Sequence, residues 1–239
     1  MLGLPDMIHA CLFDLDGVLT DTAAVHHAAW AATFDPVLEA HGQSAFTQTD
    51  YDEYVDGKPR LDGVRDFLAS RKIDVPEGDD DDEPGNETVH AIAARKNQDV
   101  LRRIRTDGVK VFPGSLTYLK AATEAGLHRV VVSSSANTAD VLAVTGLDKY
   151  VEDRVDGVTI ATTGMPGKPA PDSFLAGAQR AGVEPSRAAV FEDATAGVEA
   201  GRRGNFGFVV GVNRLDDAHG DALHAHGADI VVHDLAELL

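Results

Sequence analysis

Cysteine is nearly absent: the 239 residues contain one, Cys11. No internal disulfide can form, so the fold must rest on its apolar core. Cys11 lies within the run "ACLF" and reads as a small buried hydrophobe rather than a reactive thiol. Basic residues are also scarce, 21 against 39 acidic ones, giving a net charge of −18. Such a surface repels nucleic acid and anionic membranes, whose binding rests on basic patches, so neither is expected as a partner. It repels phosphorylated metabolites too, and a phosphate site here would need local cations. No apolar run approaches the ~18 residues that a membrane span requires. The opening "MLGLPDMIHA" has neither a basic start nor a long apolar stretch, so no signal peptide is expected and a cytoplasmic location is the default. Internal repeats are lacking, and a monomer is the favoured state.

What is present suits a globular fold. Hydrophobic residues make up 44% and charged residues 25%, enough to bury a sizeable core. Short apolar, β-branched runs recur at His9–Phe13, Arg129–Val132, Ala188–Phe191, Phe206–Val210 and Ile230–Val232. Helical spacing follows them at Ser115–Ala125, Asn137–Val144, Pro171–Ala181, Ala196–Arg203 and Asp217–His224. Strands alternating with helices predict an α/β fold, a Rossmann-like parallel sheet with helices on both faces. Residues 22–108 break the rhythm, with helical patterns at Ala23–Glu39, Asp62–Ser70 and Val89–Arg105 and no strand. The expected division is therefore a core of residues 1–21 and 109–239, and an inserted α-helical cap of 22–108. A block inserted there is expected to hang over the C-terminal edge of the sheet, where open α/β folds hold ligands. "EGDDDDEP" (Glu77–Pro84) reads as a mobile, solvated loop of the cap.

The chemistry is concentrated at predicted strand tips. "LFDLDG" ends the first strand by placing Asp14 and Asp16 one residue apart. An EF-hand loop does not fit, because Gly17 falls at the fourth position rather than the sixth. Helix capping is better served by Asp21 or Thr22. Two like-charged acids in that position repel, and a hard cation such as Mg²⁺ would relieve the repulsion. One carboxylate can then attack phosphorus while the other carries a proton. "VVVSSSAN" ends a strand in Ser133, Ser134 and Ser135, hydroxyls and N–H groups suited to a phosphate at a helix start. "GKPAPD" offers Lys168 ahead of another helix, and "FEDATAG" ends its strand in a second acidic pair, Glu192 and Asp193, suited to completing a metal site.

These four motifs, in this order and over nearly the whole chain, resemble the haloacid dehalogenase-like superfamily. The cap segments "DTAAVHHAAW", "VDGKPR" and "ARKN" are similar to its phosphosugar-mutase branch, as is "SSSAN" in the core; Ala136 departs from the lysine common there. The resemblance implies that Asp14 becomes phosphorylated and that Asp16 is the general acid and base. It implies a Mg²⁺ ion held by Asp14, the backbone carbonyl of Asp16, Glu192 and Asp193, and a phosphoryl group held by Ser133, Ser134 and Lys168. Contacts to a small phosphosugar would come from Thr22, His26, Trp30, Gly57, Arg60, Lys96, Ser135 and Asn137. The implied reaction interconverts β-D-glucose 1-phosphate and glucose 6-phosphate through a bisphosphate. The alternatives are a Mg²⁺-dependent sugar or polyol phosphate phosphatase and, outside catalysis, a sugar-phosphate-binding or partner-docking protein. The histidines of "DDAHGDALHAHGAD" read as surface residues.

Overall fold

The computed structural model describes residues 2–239. Its elements run β1 (Ala10–Phe13), α1 (Ala23–Ala40), α2 (Gln48–Asp50) continuing into a π-helical turn at Tyr51–Val55, α3 (Arg60–Ser70), α4 (Val89–Asp107) and α5 (Pro113–Glu124). There follow β2 (His128–Val132), α6 (Thr138–Thr145), β3 (Asp153–Val155), α7 (Gly157–Thr163), α8 (Asp172–Arg180), β4 (Ala188–Glu192), α9 (Thr195–Arg203), β5 (Phe208–Val212), α10 (Asp217–Ala225) and β6 (Ile230–Val232). Two compact units result. One is the chain up to Asp21 together with Val109–Leu239; the other is Thr22–Gly108. No helix among the described residues is long and apolar enough to cross a membrane.

The first unit is a six-stranded sheet in the order β3-β2-β1-β4-β5-β6, with every neighbouring pair parallel. It is the α/β fold of the sequence reading. Residues on both faces of β1 are buried, as a central parallel strand requires. On one face Leu12 packs with Val130, Val190, Phe174 of α8 and Val198 of α9. On the other, Phe13 stacks on Phe191 at 4.5 Å and meets Tyr118 of α5 edge-on at 6.2 Å. Cys11 is fully buried, and burial pushes its thiol up despite Arg129 nearby, which suits the small hydrophobe it was expected to be.

Strand order reverses beside β1: the chain steps to β2 and β3 on one side, then to β4, β5 and β6 on the other. That switch point is where open α/β sheets take ligands. Phe13 is level with Phe191, so Asp14 and Glu192, each one residue further on, leave the sheet as neighbours.

Three elements differ from expectation. β3, with three residues of which two are exposed, is too short and polar to register as an apolar run. "DGVTIATTG", outside the helical segments expected in the core, is α7, capped by the Asp156 side chain on Thr159 N–H and ended by the left-handed Gly164. β5 also starts at Phe208 rather than Phe206, its register set by pairing with β4.

The helical unit encloses an aromatic core. Trp30 stacks on Phe34 at 5.0 Å, Phe34 lies 4.2 Å from Phe67, and Phe46 meets Phe67 edge-on at 5.0 Å. The acidic stretch is tied down at several points: Glu77 accepts from Arg65 Nε at 3.0 Å, Asp80 pairs with His90 at 3.0 Å, and Asp82 accepts from Thr88 at 2.6 Å.

Phe67 is fully buried at the centre of this cluster, so Phe67→Ala should lower the unfolding free energy by about 3–5 kcal/mol in urea titration. A loss below about 1 kcal/mol would mean that the aromatic cluster does not hold the unit together.

Candidate active site

Asp14 follows β1 directly, and its N–H donates to Phe191 O at 2.9 Å, which locks the first tip to β4. The chain then turns tightly. Gly17 N–H donates to Thr20 O at 2.8 Å, and the Thr20 hydroxyl and N–H both return to Leu15 O. Gly17 holds φ +82°, a left-handed conformation that favours glycine. A Cβ there would stand 1.7 Å from Asp193 Oδ2. The two acidic loops therefore meet at a point that only hydrogen can occupy.

Lys168 comes from the loop ahead of α8 and reaches into the same place. Its ammonium donates to Asp14 Oδ1 at 2.6 Å, Glu192 Oε1 at 2.5 Å and Val132 O at 3.3 Å. All three of its N–H donors are used. Burial alone would lower its pKa, but the two carboxylates raise it above the ordinary lysine value, so it remains a cation. Burial pushes the Asp14 carboxyl well up, opposed by Lys168 and helped by Glu192 and Asp16. These shifts pull against each other, and the charged lysine is the firmer direction because two carboxylates share it. Glu192 is fully engaged: Oε1 meets Lys168, Oε2 accepts from Ala194 N–H at 2.9 Å, and the backbone at Gly197 closes over it.

Ser133 ends β2, buried, with its Oγ 3.5 Å from Asp16 Oδ2 and accepting from Ser135 N–H at 3.0 Å. The Ser135 hydroxyl in turn accepts from Asn137 N–H at 3.2 Å, so side chains hold the serine turn open ahead of α6. Asp14, Asp16, Ser133, Ser134, Ser135, Asn137, Glu192 and Asp193 lie at the C-terminal ends of β1, β2 and β4 or in the segments just beyond, Lys168 lies in the loop between α7 and α8, and all belong to the α/β unit. The arrangement offers acceptor oxygens, hydroxyl and N–H donors and one buried cation, the components of phosphoryl transfer. No three histidine, cysteine or acidic side chains among the described residues form a ready metal-binding group.

Thr22, His26, Trp30, Gly57, Arg60 and Lys96 lie in the helical unit. His26 and Trp30 are one turn apart on α1 and face Lys96 of α4. Lys96 Nζ is 2.8 Å from His26 Nδ1 and 4.8 Å from the Trp30 ring centre. An ammonium can only donate, so His26 Nδ1 accepts and the neutral ring carries its proton on Nε2. Thr22 O accepts from His26 N–H at 2.8 Å, and Gly57 takes φ +68° in the turn before α3. Arg60 opens α3; Nη1 donates to Asn97 Oδ1 at 2.6 Å, while its buried Nε has no hydrogen-bond partner. Burial holds its pKa below the ordinary arginine value. The sequence reading overlooked His219, placing it at the surface. It is half-buried, with Nε2 2.7 Å from the Asp193 carbonyl oxygen. The only sequence signal was its position one turn into the helix that follows the β5 tip.

The chain is 56% identical over 247 residues to a β-phosphoglucomutase of Mycobacterium bovis, covering 100% of this chain and 94% of that one. It is 27% identical to hexitol phosphatase A of Escherichia coli, covering 95% and 91%. Among solved structures, β-phosphoglucomutase of Clostridium difficile superposes with a TM-score of 0.79 at 25% identity, covering 97% and 93%. The family model for haloacid dehalogenase-like hydrolases matches residues 8–205, and the chain belongs to that family.

Proposed function

We propose that this protein is a phosphosugar mutase that interconverts β-D-glucose 1-phosphate and glucose 6-phosphate through a bisphosphate, with Asp14 as the phosphoryl carrier. The observation that carries the reading is the buried ammonium of Lys168, 2.6 Å from Asp14 at the sheet's switch point. Asp14 takes the phosphoryl group on the oxygen that Lys168 leaves available. Lys168 and the Ser133 hydroxyl then offset the charge that spreads over the phosphoryl oxygens in the transition state. Asp16, within reach of the Ser133 side chain but outside the Lys168 triad, moves the proton of the sugar hydroxyl. Glu192 holds Lys168 on its aim.

The donor set fits Mg²⁺. Asp14, the Asp16 carbonyl and Asp193 are hard oxygen donors, with Glu192 behind them, and the one buried lysine pairs with only Asp14 and Glu192 of the four acids. Gly17 leaves clear the space around Asp193 Oδ2 that a Cβ would fill. When bound, the ion would neutralise negative charge on the transferring phosphoryl group.

A mutase must also hold the phosphate that is not reacting. Arg60 supports this reading, because its half-buried guanidinium bonds to a neutral amide and keeps its buried Nε unused. Lys96, Thr22, His26, Trp30 and Gly57 are proposed as its companions toward the sugar phosphate, with Ser135 and Asn137 from the core. Hydrolysis of a sugar or polyol phosphate is the second reading, favoured by the likeness to hexitol phosphatase A. A panel of phosphosugars assayed for both products separates the two. Isomer should form from β-D-glucose 1-phosphate faster than inorganic phosphate is released, whereas release without isomer would put hydrolysis first.

Two variants extend the test. Gly17→Ala would collide with Asp193 in a strained left-handed backbone. It should sharply raise the Mg²⁺ concentration needed for half-maximal activity, and an unchanged requirement would take Asp193 out of the metal site. Arg60→Ala should cost about ten- to hundred-fold in mutase kcat/KM, the worth of a lost charge-assisted contact at ~1.5–3 kcal/mol. Acetyl phosphate hydrolysis, which has no second phosphate to hold, should barely change. Equal slowing of both reactions would remove Arg60 from distal-phosphate recognition.

A further inference from the structure

We infer that His219 is a positioning residue that sets the Asp193 peptide, and through it the metal-binding carboxylate, from outside the site. The inference rests on the Mg²⁺ reading above. α10 begins with a firm cap: the Asp216 carboxylate accepts from His219 N–H at 2.9 Å, which fixes the first turn and the root of the imidazole. The ring then reaches across to β4, where Nε2 lies 2.7 Å from Asp193 O. A carbonyl oxygen only accepts, so Nε2 carries the proton and donates.

The bond goes to the backbone of Asp193, so it holds the peptide plane without engaging the carboxylate. The same post-β5 segment grips the other acidic loop in the same manner. Arg214 Nε donates to Gly17 O at 3.0 Å, Nη1 donates to His233 O at 2.6 Å, and the guanidinium lies 3.8 Å from the centre of the Phe112 ring. Gly17 and Asp193 are the points where the two acidic loops touch. Residues 214–219 therefore clamp both loops by their carbonyls and fix the spacing between the carboxylates that would share an ion. Groups that orient metal ligands from behind usually carry ~10–100-fold in metal affinity.

The test is calorimetric titration of Mg²⁺ into the full-length, substrate-free protein. His219→Ala should weaken Mg²⁺ binding about tenfold or more, at the scale of such outer partners. His219→Gln, whose amide N–H can reach the same carbonyl, should restore most of that affinity. At saturating Mg²⁺ the kcat of His219→Ala should stay close to that of the unaltered protein, because the clamp touches no reacting atom. Thermal unfolding without metal shows whether each variant is folded. Unchanged Mg²⁺ affinity in His219→Ala overturns the inference, as does a loss that His219→Gln shares in full. If the unaltered protein itself fails to bind Mg²⁺, the metal reading falls first and this inference falls with it.

Discussion

A single ammonium between two carboxylates governs the centre of the α/β unit. Lys168 is 4% exposed, and so close to Asp14 and Glu192 that none of the three could be removed without stranding a buried charge. Buried pairs of this kind are poor sources of net stability, since desolvation offsets most of the attraction. Their value here lies in aim. In a site screened from water, a cation held at three points acts on a nearby oxygen with little reorganisation. The switch point makes the triad possible, because β1 and β4 are adjacent and in register; Asp14 lies 154 positions from Lys168, which lies 24 from Glu192, and the fold, not sequence proximity, brings the three together.

The charge distribution follows from the same constraint. With a net charge of −18, the surface as a whole disfavours an anionic substrate. Attraction for such a substrate would have to come from cations placed where screening is weakest; Lys168 and Lys96 are buried and Arg60 is half-buried. These cations are distributed over the two compact units. One holds Lys168 beside the acidic tips, and the other holds Lys96 and Arg60 among aromatic and amide groups.

Much of this was legible in the sequence, for physical reasons. A central parallel strand must be apolar on both faces, so "ACLF" and "AAVF" announced β1 and β4, and the acids beyond them fell at the sheet's tips. The edge strand β3 carried no such signature. In α7 the β-branched Val158, Thr159, Ile160, Thr162 and Thr163 have weak helix propensity, so only its capping residues marked it. Asp14, Asp16, Glu192 and Asp193 stood out because charged residues at strand ends need a reason, and Lys168 because its motif falls among theirs in the order of the resemblance. His219 did not, since its contact with Asp193 spans 26 positions and depends on how α10 docks. Histidine spacing in a polar helix says nothing about that.

The central claim is that a phosphoryl group is carried by Asp14 under the charge of Lys168. The most direct measurement is to react the full-length protein with isotopically labelled acetyl phosphate and Mg²⁺, quench it, and map the label by mass spectrometry. The label should sit on the Asp14 carboxylate and disappear in Asp14→Asn. A label on Ser133, Asp16 or His26, or turnover that continues in Asp14→Asn, would contradict the account.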